Sequence, residues 1–361
     1  MRSKTIVFTF LFALLYVQLP AQTKTENVVL VTLDGLRWKE LFSGADPKIV
    51  SNKKYVKDVP GLKDKYWNDS PVKRRKALFP FMWSTLVQNG QIYGNRELGN
   101  KVNVANRYWF SYPGYNELLT GNTDRRIRSN ARVDNPNQTI LEFANQQRGF
   151  QDKVAAFASW DVFHYILAKR RSGIYINAGH DTAKVKLTFR EKYLNHLQQH
   201  TPSPWRSTRL DEFTHQYAKE YMKKNFPKLV LIAYGETDEY AHEGRYDDYL
   251  ESATKTDAYI KDLWEFIQSN EHYKDKTTLL ITTDHGRGAG RRSWRGHGID
   301  KIGSNHTWFA VMGPDTKPLG EVKAKGHYYT KQLAHTIASY LDLNYPNSGS
   351  SENIIATGPV K

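Results

Sequence analysis

The sequence predicts an α/β fold, a doubly wound and mostly parallel sheet with inserted cap or lid segments, and three observations carry that expectation. Short apolar, β-favouring runs recur at 27–33 (NVVLVTL), 154–158 (VAAFA), 229–233 (LVLIA) and 279–283 (LLITT). Runs of this kind suit strands buried on both faces of a parallel sheet. Stretches with helical patterning lie between them, and the runs end near Asp, Ser, Glu or His, beside Gly in all but the 154–158 run. In open α/β sheets that is where ligands bind, just beyond the carboxyl ends of the strands.

Taken in order, 27–33 reads as a strand ended by Asp34-Gly35-Leu36-Arg37. Residues 39–76 are polar and turn-rich with no clear period, and read as an inserted loop or lid. Residues 77–89 are apolar at helical spacing but interrupted by Pro80, which leaves the helix start uncertain. In WFSYPGYNELLTG, 109–121, Pro113 and Gly114 make a sharp turn and 116–120 look like the first turns of a helix. Ser111 then sits near a helix N-terminus, as a cap or as a hydroxyl whose developing negative charge the dipole favours. A helix is expected over 139–147, a strand over 154–158 ending at Ser159-Trp160-Asp161, and a polar, helical cap over 178–226. The 229–233 strand leads into YGETDEYAHEG, where Asp238 and His242 are one helical turn apart. An amphipathic helix over 249–270 leads to the 279–283 strand and Asp284-His285-Gly286. Residues 307–312 (TWFAVM) form a final strand closed by Gly313-Pro314, and 327–343 a terminal helix. The whole reads as one domain over 22–343 with insertions near 39–76 and 178–226, followed by a solvated tail at 344–361.

At 361 residues, 39% hydrophobic and 13% aromatic, the chain can bury a sizeable core, which excludes a disordered protein. Residues 1–21 have the layout of a secretory signal peptide: Arg2 and Lys4, an apolar run over 5–19, then Ala21. Export to a periplasm or the medium is expected, with no transmembrane segment once the signal is removed. The other reading is an uncleaved anchor, for which the run is short. Cysteine is absent, so no disulfide forms and any metal site is limited to His, Asp, Glu and hydroxyl ligands; this suits a bacterial periplasm. The formal charge of +15 falls to about +13 without Arg2 and Lys4. Basic residues bunch at 53–76, 125–128, 169–171 and 287–295, which reads as steering of an anionic substrate or as ordinary solvated charge. No nucleic-acid-binding module is seen.

Collected from the strand ends and the 109–121 turn, Asp34, Ser111, Asp238, His242, Asp284, His285 and His297 are the ingredients of a site holding two cations beside a hydroxyl nucleophile. The order Leu-Asp-Gly, Ser-Tyr-Pro-Gly then Thr-Gly, Asp-x-x-x-His, Thr-Asp-His-Gly, Gly-His-Gly then Gly-Pro resembles the alkaline phosphatase superfamily. Within it the closest likeness is to the nucleotide pyrophosphatase/phosphodiesterase branch. The resemblance covers about 26–343, apart from the two insertions. It implies that Asp34, Asp284 and His285, with Ser111, hold one ion and that Asp238, His242 and His297 hold the other; Zn²⁺ is the first choice for N and O ligands. It also implies attack by Ser111 on an anionic phosphoester through a phosphoserine, and an asparagine on a phosphoryl oxygen, Asn130 in preference to Asn135. His297 is preferred to His306 and His327 because it alone is followed by Gly before the 309 strand and Gly313-Pro314. Arg128 and Arg171 are candidate phosphate clamps or plain surface.

One departure is that Thr often replaces Ser111 in the phosphodiesterase branch, which leaves monoester against diester preference open. Formylglycine sulfatases need Arg where Tyr115 follows Ser111-Tyr112-Pro113-Gly114, which argues against that route. The alternatives are a phosphotransferase or mutase, a sulfatase, or a catalytically silent polyanion-binding protein.

Overall fold

The apolar runs form the middle of an eight-stranded sheet, in a computed structural model that describes residues 24–346. The signal-peptide reading of 1–21 lies outside the described residues, as does the tail from 347 onward. In chain order the strands are β1 (Asn27–Leu33), β2 (Gly90–Tyr93), β3 (Asn100–Asn103), β4 (Val154–Ala158), β5 (Tyr175–Ala178), β6 (Leu229–Tyr234), β7 (Thr277–Thr282), β8 (His306–Thr307), β9 (Phe309–Met312), β10 (Gly320–Glu321) and β11 (Gly326–Tyr329). The large sheet has the order β10-β2-β9-β7-β1-β6-β4-β5, and β11-β3-β8 make a small second sheet. The neighbours from β7 to β5 are all parallel.

Alternation along each strand sends side chains to opposite faces. Val29, Val31 and Leu33 enter one core, with Tyr217, Met222, Tyr249 and Ile260 of the helices Asp211–Asn225 and Tyr246–Ser269. Val28 and Leu30 enter the other, with Tyr115, Leu118, Leu141 and Ile337 of the helices Ser111–Thr120, Ile140–Asn145 and Leu333–Tyr340. Both faces are thus covered, as expected of a doubly wound sheet.

Several expectations need correction. Residues 39–76 are not a polar loop: the helices Trp38–Ser43, Val59–Tyr66 and Pro71–Leu78 stand there, and Leu41, Ile49, Val50, Tyr55 and Leu62 are buried in the first core. Within 178–226, the helix Asp211–Asn225 packs on the sheet against β4 and β6 instead of capping the site. Strand β9, expected to be the last, is followed by the short strands β10 and β11, and it runs antiparallel to β7 and β2. The terminal helix is short, because 326–329 pair with β3.

Candidate metal centre

The central strands end level. Thr32 pairs with Ala233 on one side and Thr282 on the other, so Asp34, Gly235 and Asp284 emerge close together at one edge of the sheet. Three local devices aim the side chains at this edge. Gly35 has φ +59°, and a Cβ there would meet Arg287 Nη1 at 2.7 Å, Asp238 Oδ1 at 2.9 Å and His285 Cε1 at 3.0 Å, so the turn after β1 has room for hydrogen only. The helix Glu236–Glu243 carries Asp238 and His242, and Thr237 Oγ1 donates to the Asp34 carbonyl at 2.6 Å. Asp211 accepts the N–H groups of Gly235 and Glu236 at the N-terminus of that helix.

Ser111 is the first residue of a buried ten-residue helix whose capping residue makes no side-chain cap bond. Its Oγ lies 3.2 Å from His285 Nε2 and 3.5 Å from Asp34 Oδ1, so the hydroxyl faces the strand ends and is not a cap. Trp109, two residues upstream, holds a left-handed backbone at φ 57°, a conformation a bulky residue keeps only when its surroundings impose it. They do so through Asn106 Oδ1, which accepts the N–H groups of Tyr108 and Trp109, and through buried Glu117, which accepts those of Ala105 and Asn106.

Two ligand-like groups form. Asp34, Asp284 and His285 are all buried, and His285 Nε2 stands 3.3 Å from Asp34 Oδ1 and 3.5 Å from Asp284 Oδ2. His285 Nδ1 donates to the Gly286 carbonyl at 2.8 Å, which keeps a proton on Nδ1 and makes Nε2 the atom that faces a cation once its own proton is displaced. Asp238, His242 and His297 form the second group. Here His242 Nε2 is 2.9 Å from His297 Nε2 and 3.2 Å from Asp238 Oδ2. The rings of His285 and His297 lie 4.1 Å apart, so the groups are neighbours.

The electrostatics fit cations. Burial, then the charge of Asp238, pushes the Asp34 carboxyl above its usual range; burial and Asp34 push Asp284 well above it. Asp284 Oδ2 is buried without a hydrogen-bond partner. Burial opposes charge on His285, but Asp284 and Asp34 prevail and carry the imidazole up to about 9. Burial likewise opposes charge on Asp238, yet Arg287, His242 and His297 hold it well below the carboxylate range. Two crowded buried carboxylates with an unpaired oxygen are costly unless a cation joins them. The all-N/O donor set is the kind divalent ions take.

A cavity of about 300 Å³ opens over both groups, lined by Ser111, Asn130, Trp160, Thr208, Glu239, His242 and His297 among others. Asn130 Oδ1 accepts the Tyr112 N–H at 3.0 Å. Asn135 is buried elsewhere, donating to Asn116 and to the Ile166 carbonyl. Arg171 is tied to Glu142, and Arg128 lines a neighbouring pocket. Sequence reasoning missed Glu239 and Trp160 as cavity walls, although both lie in the strand-end motifs it singled out. It also read Arg287 as one of a surface run, whereas Arg287 is buried on Asp238.

A doubly wound sheet with two carboxylate–imidazole groups at its carboxyl edge defines an α/β protein with two candidate metal-binding groups. A family model described as the Metalloenzyme superfamily matches residues 189–343. Among curated proteins, the 2,3-bisphosphoglycerate-independent phosphoglycerate mutase of Gracilaria tenuistipitata var. liui is 26% identical over 136 residues, 38% of this chain, and the match spans only 25% of that relative's length. Among solved structures, murine ectonucleotide pyrophosphatase / phosphodiesterase 5 superposes with a TM-score of 0.57 at 14% identity, covering 91% of this chain and 100% of that one. A protein in the alkaline phosphatase superfamily from Vibrio parahaemolyticus does so with 0.53 at 14% identity, covering 89% and 67%. These likenesses concern the fold: the mostly parallel, doubly wound sheet expected from the motifs is the one these structures share.

Proposed function

We propose that this protein is an exported hydrolase of phosphoric esters that uses two divalent cations, with Zn²⁺ the first choice, and Ser111 as nucleophile. The observation that carries the reading is the Ser111 hydroxyl at a helix N-terminus, within 3.5 Å of Asp34 and His285. Asp34, Asp284 and His285, with Ser111 Oγ, would hold one ion, and Asp238, His242 and His297 the other. Bound there, the ions supply positive charge to the phosphoryl oxygens and lower the cost of ionising hydroxyl and water. The protein's own residues do the rest. Ser111 Oγ attacks phosphorus and the alcohol leaves with a proton, giving a phosphoserine; water then cleaves the P–O bond and restores the hydroxyl. The helix N-terminus favours the charge that develops on Ser111 Oγ. Asn130 holds its backbone partner through Oδ1, which leaves Nδ2 to donate to a phosphoryl oxygen.

Of the rival readings, one has specific support and one is argued against. The curated mutase relative favours a phosphotransferase, in which an alcohol takes the phosphoryl group in place of water. A sulfatase is disfavoured by Tyr115, whose hydroxyl lies 3.4 Å from Asp34 Oδ2 where the formylglycine motif needs Arg. The deciding experiment measures metal content of the purified protein and compares turnover of aryl phosphate, bis-aryl phosphate and aryl sulfate for wild type and Ser111→Ala. Phosphate ester turnover that disappears in the variant is expected. Turnover retained in Ser111→Ala, or sulfate as the preferred ester, overturns the reading.

A further inference from the structure

Arg287 is 1% exposed, directly after Asp284-His285-Gly286, and every polar atom of its guanidinium is committed. Nη1 bonds Asp238 Oδ1, Nε donates to the Trp294 carbonyl at 2.8 Å, and Nη2 donates to the Arg295 carbonyl at 2.5 Å. One side chain from the end of β7 thus ties the helix that carries Asp238 to the turn that carries His297, two residues beyond Arg295. Few side chains could do this. A guanidinium presents its donors in a fixed planar fork, so it satisfies a carboxylate and two carbonyls at once, which an ammonium on a flexible stem cannot do in one geometry. The turn has an apolar anchor in Trp294, buried against Tyr55, Tyr246 and Tyr249. Apart from those to Arg287 and Gly288, however, its hydrogen bonds among the described residues are mostly local, such as the Gly296 N–H to the Ser293 carbonyl, and His297 Nδ1 is buried with no hydrogen-bond partner. The His297 ring therefore has no orienting bond on its own second nitrogen.

We infer that Arg287 is a positioning residue that assembles the Asp238–His242–His297 group, by orienting Asp238 through Oδ1 and by fixing the turn that delivers His297. Its hydrogen bonds go to Asp238 and to the Trp294 and Arg295 carbonyls, and none goes to Asp34, Asp284 or His285. The inference rests on the proposal of two bound cations.

Two effects of losing Arg287 oppose each other. Removing a positive charge beside Asp238 strengthens attraction of a cation, whereas freeing His297 removes a ligand from the group. Partners that orient ligands are worth about 10–100-fold in affinity, and a group of three ligands reduced to two loses more than one carboxylate gains from a partly screened neighbour. Weakening should win.

The test titrates chelator-stripped protein with Co²⁺, read by its visible absorption and by equilibrium dialysis, for wild type, Arg287→Met and Arg287→Lys. Wild type should take up two ions. In Arg287→Met one ion should bind as in wild type and the other about 10–100-fold more weakly, with Arg287→Lys in between because it keeps the charge but not the fork. If Arg287→Met fails to fold, Arg287→Lys carries the same comparison. Equal weakening of both ions, unchanged binding of both, or tighter binding of the second would each overturn the inference. Wild type that binds fewer than two ions would instead overturn the two-cation reading.

Discussion

Gly114→Ala is the sharpest test of how the nucleophile is placed. Gly114 lies on the buried helix that begins with Ser111, and a Cβ there would stand 2.4 Å from the carbonyl oxygen of Asp284 and 3.0 Å from its carbonyl carbon. Neither contact can be relieved by a side-chain rotation, because both atoms are backbone next to a candidate ligand. Restoring ordinary contact means moving the helix away by about 1 Å, and a shift of that size at a reacting group costs about 10²-fold in rate. Overpacking in a closed core adds about 1–3 kcal/mol of destabilisation. In kcat/KM for an aryl phosphate, Gly114→Ala should therefore fall about 10²-fold, with most of the loss in kcat, and the thermal midpoint should drop by several degrees. Uptake by the Asp238–His242–His297 group should change little, because those residues sit on other elements, whereas the ion beside Asp284 and Ser111 should be held less tightly. Wild-type kcat/KM in a folded Gly114→Ala protein would refute the argument that helix contact with Asp284 sets the position of Ser111.

Removing the ions should lower the melting temperature as well as abolish turnover, since the buried Asp34 and Asp284 carboxylates then share only the His285 imidazole as an ion-pair partner; calorimetry with and without chelator reads this. In the stripped protein the His285 imidazole is raised from an ordinary 6.5 to about 9. Its contribution to stability is fully present below pH 6.5 and should be lost as pH rises towards 9, while ion affinity should climb over the same window because binding displaces that proton. Asp211→Ala should cost about 2–4 kcal/mol in urea unfolding, because it strands the N–H groups of Gly235 and Glu236 at a buried helix start. A loss under about 0.5 kcal/mol would show that water or Glu236 takes over those donors.

How much of the fold and the site could be read from the chain depends on burial. β1, β6 and β7 are covered on both faces, so their apolar runs are nearly unbroken, and their ends delivered Asp34, Asp238, Asp284 and His285 as one set. Strands β2, β3 and β5 have four residues each and β10 has two, too few for a two-residue period to stand out. Residues 39–76 passed as a lid because each short helix there gives the core only two or three side chains, and Arg74, which a linear reading counts as surface charge, is buried with Nη1 on the Asn68 carbonyl. Ser111 illustrates a different limit. Its helix shows no amphipathic stripe, since all ten residues are buried, so the sequence could suggest a helix only from 116 and left the hydroxyl's direction open.

The placement of Arg287 bears on why the two groups differ. The Asp34–Asp284–His285 group has two carboxylates, no Lys or Arg among the described residues bonded to either, and an orphaned oxygen. The second group has one carboxylate already bonded to a guanidinium, and two imidazoles, one of them His242, which is 47% exposed. Coulomb attraction for a divalent ion scales with the uncompensated negative charge and grows as water is excluded. The first group should therefore bind its ion more tightly and the second should exchange with solvent more readily. On the proposed reading the exchangeable ion would be the one beside half-exposed His242, and the tightly held one would be the one beside Ser111. Arg287 acts on that difference in two opposed ways: its charge offsets Asp238, which lowers attraction for a second ion, while its bonds to the Trp294 and Arg295 carbonyls hold the turn of His297, and the loss expected in Arg287→Met means that the second effect outweighs the first.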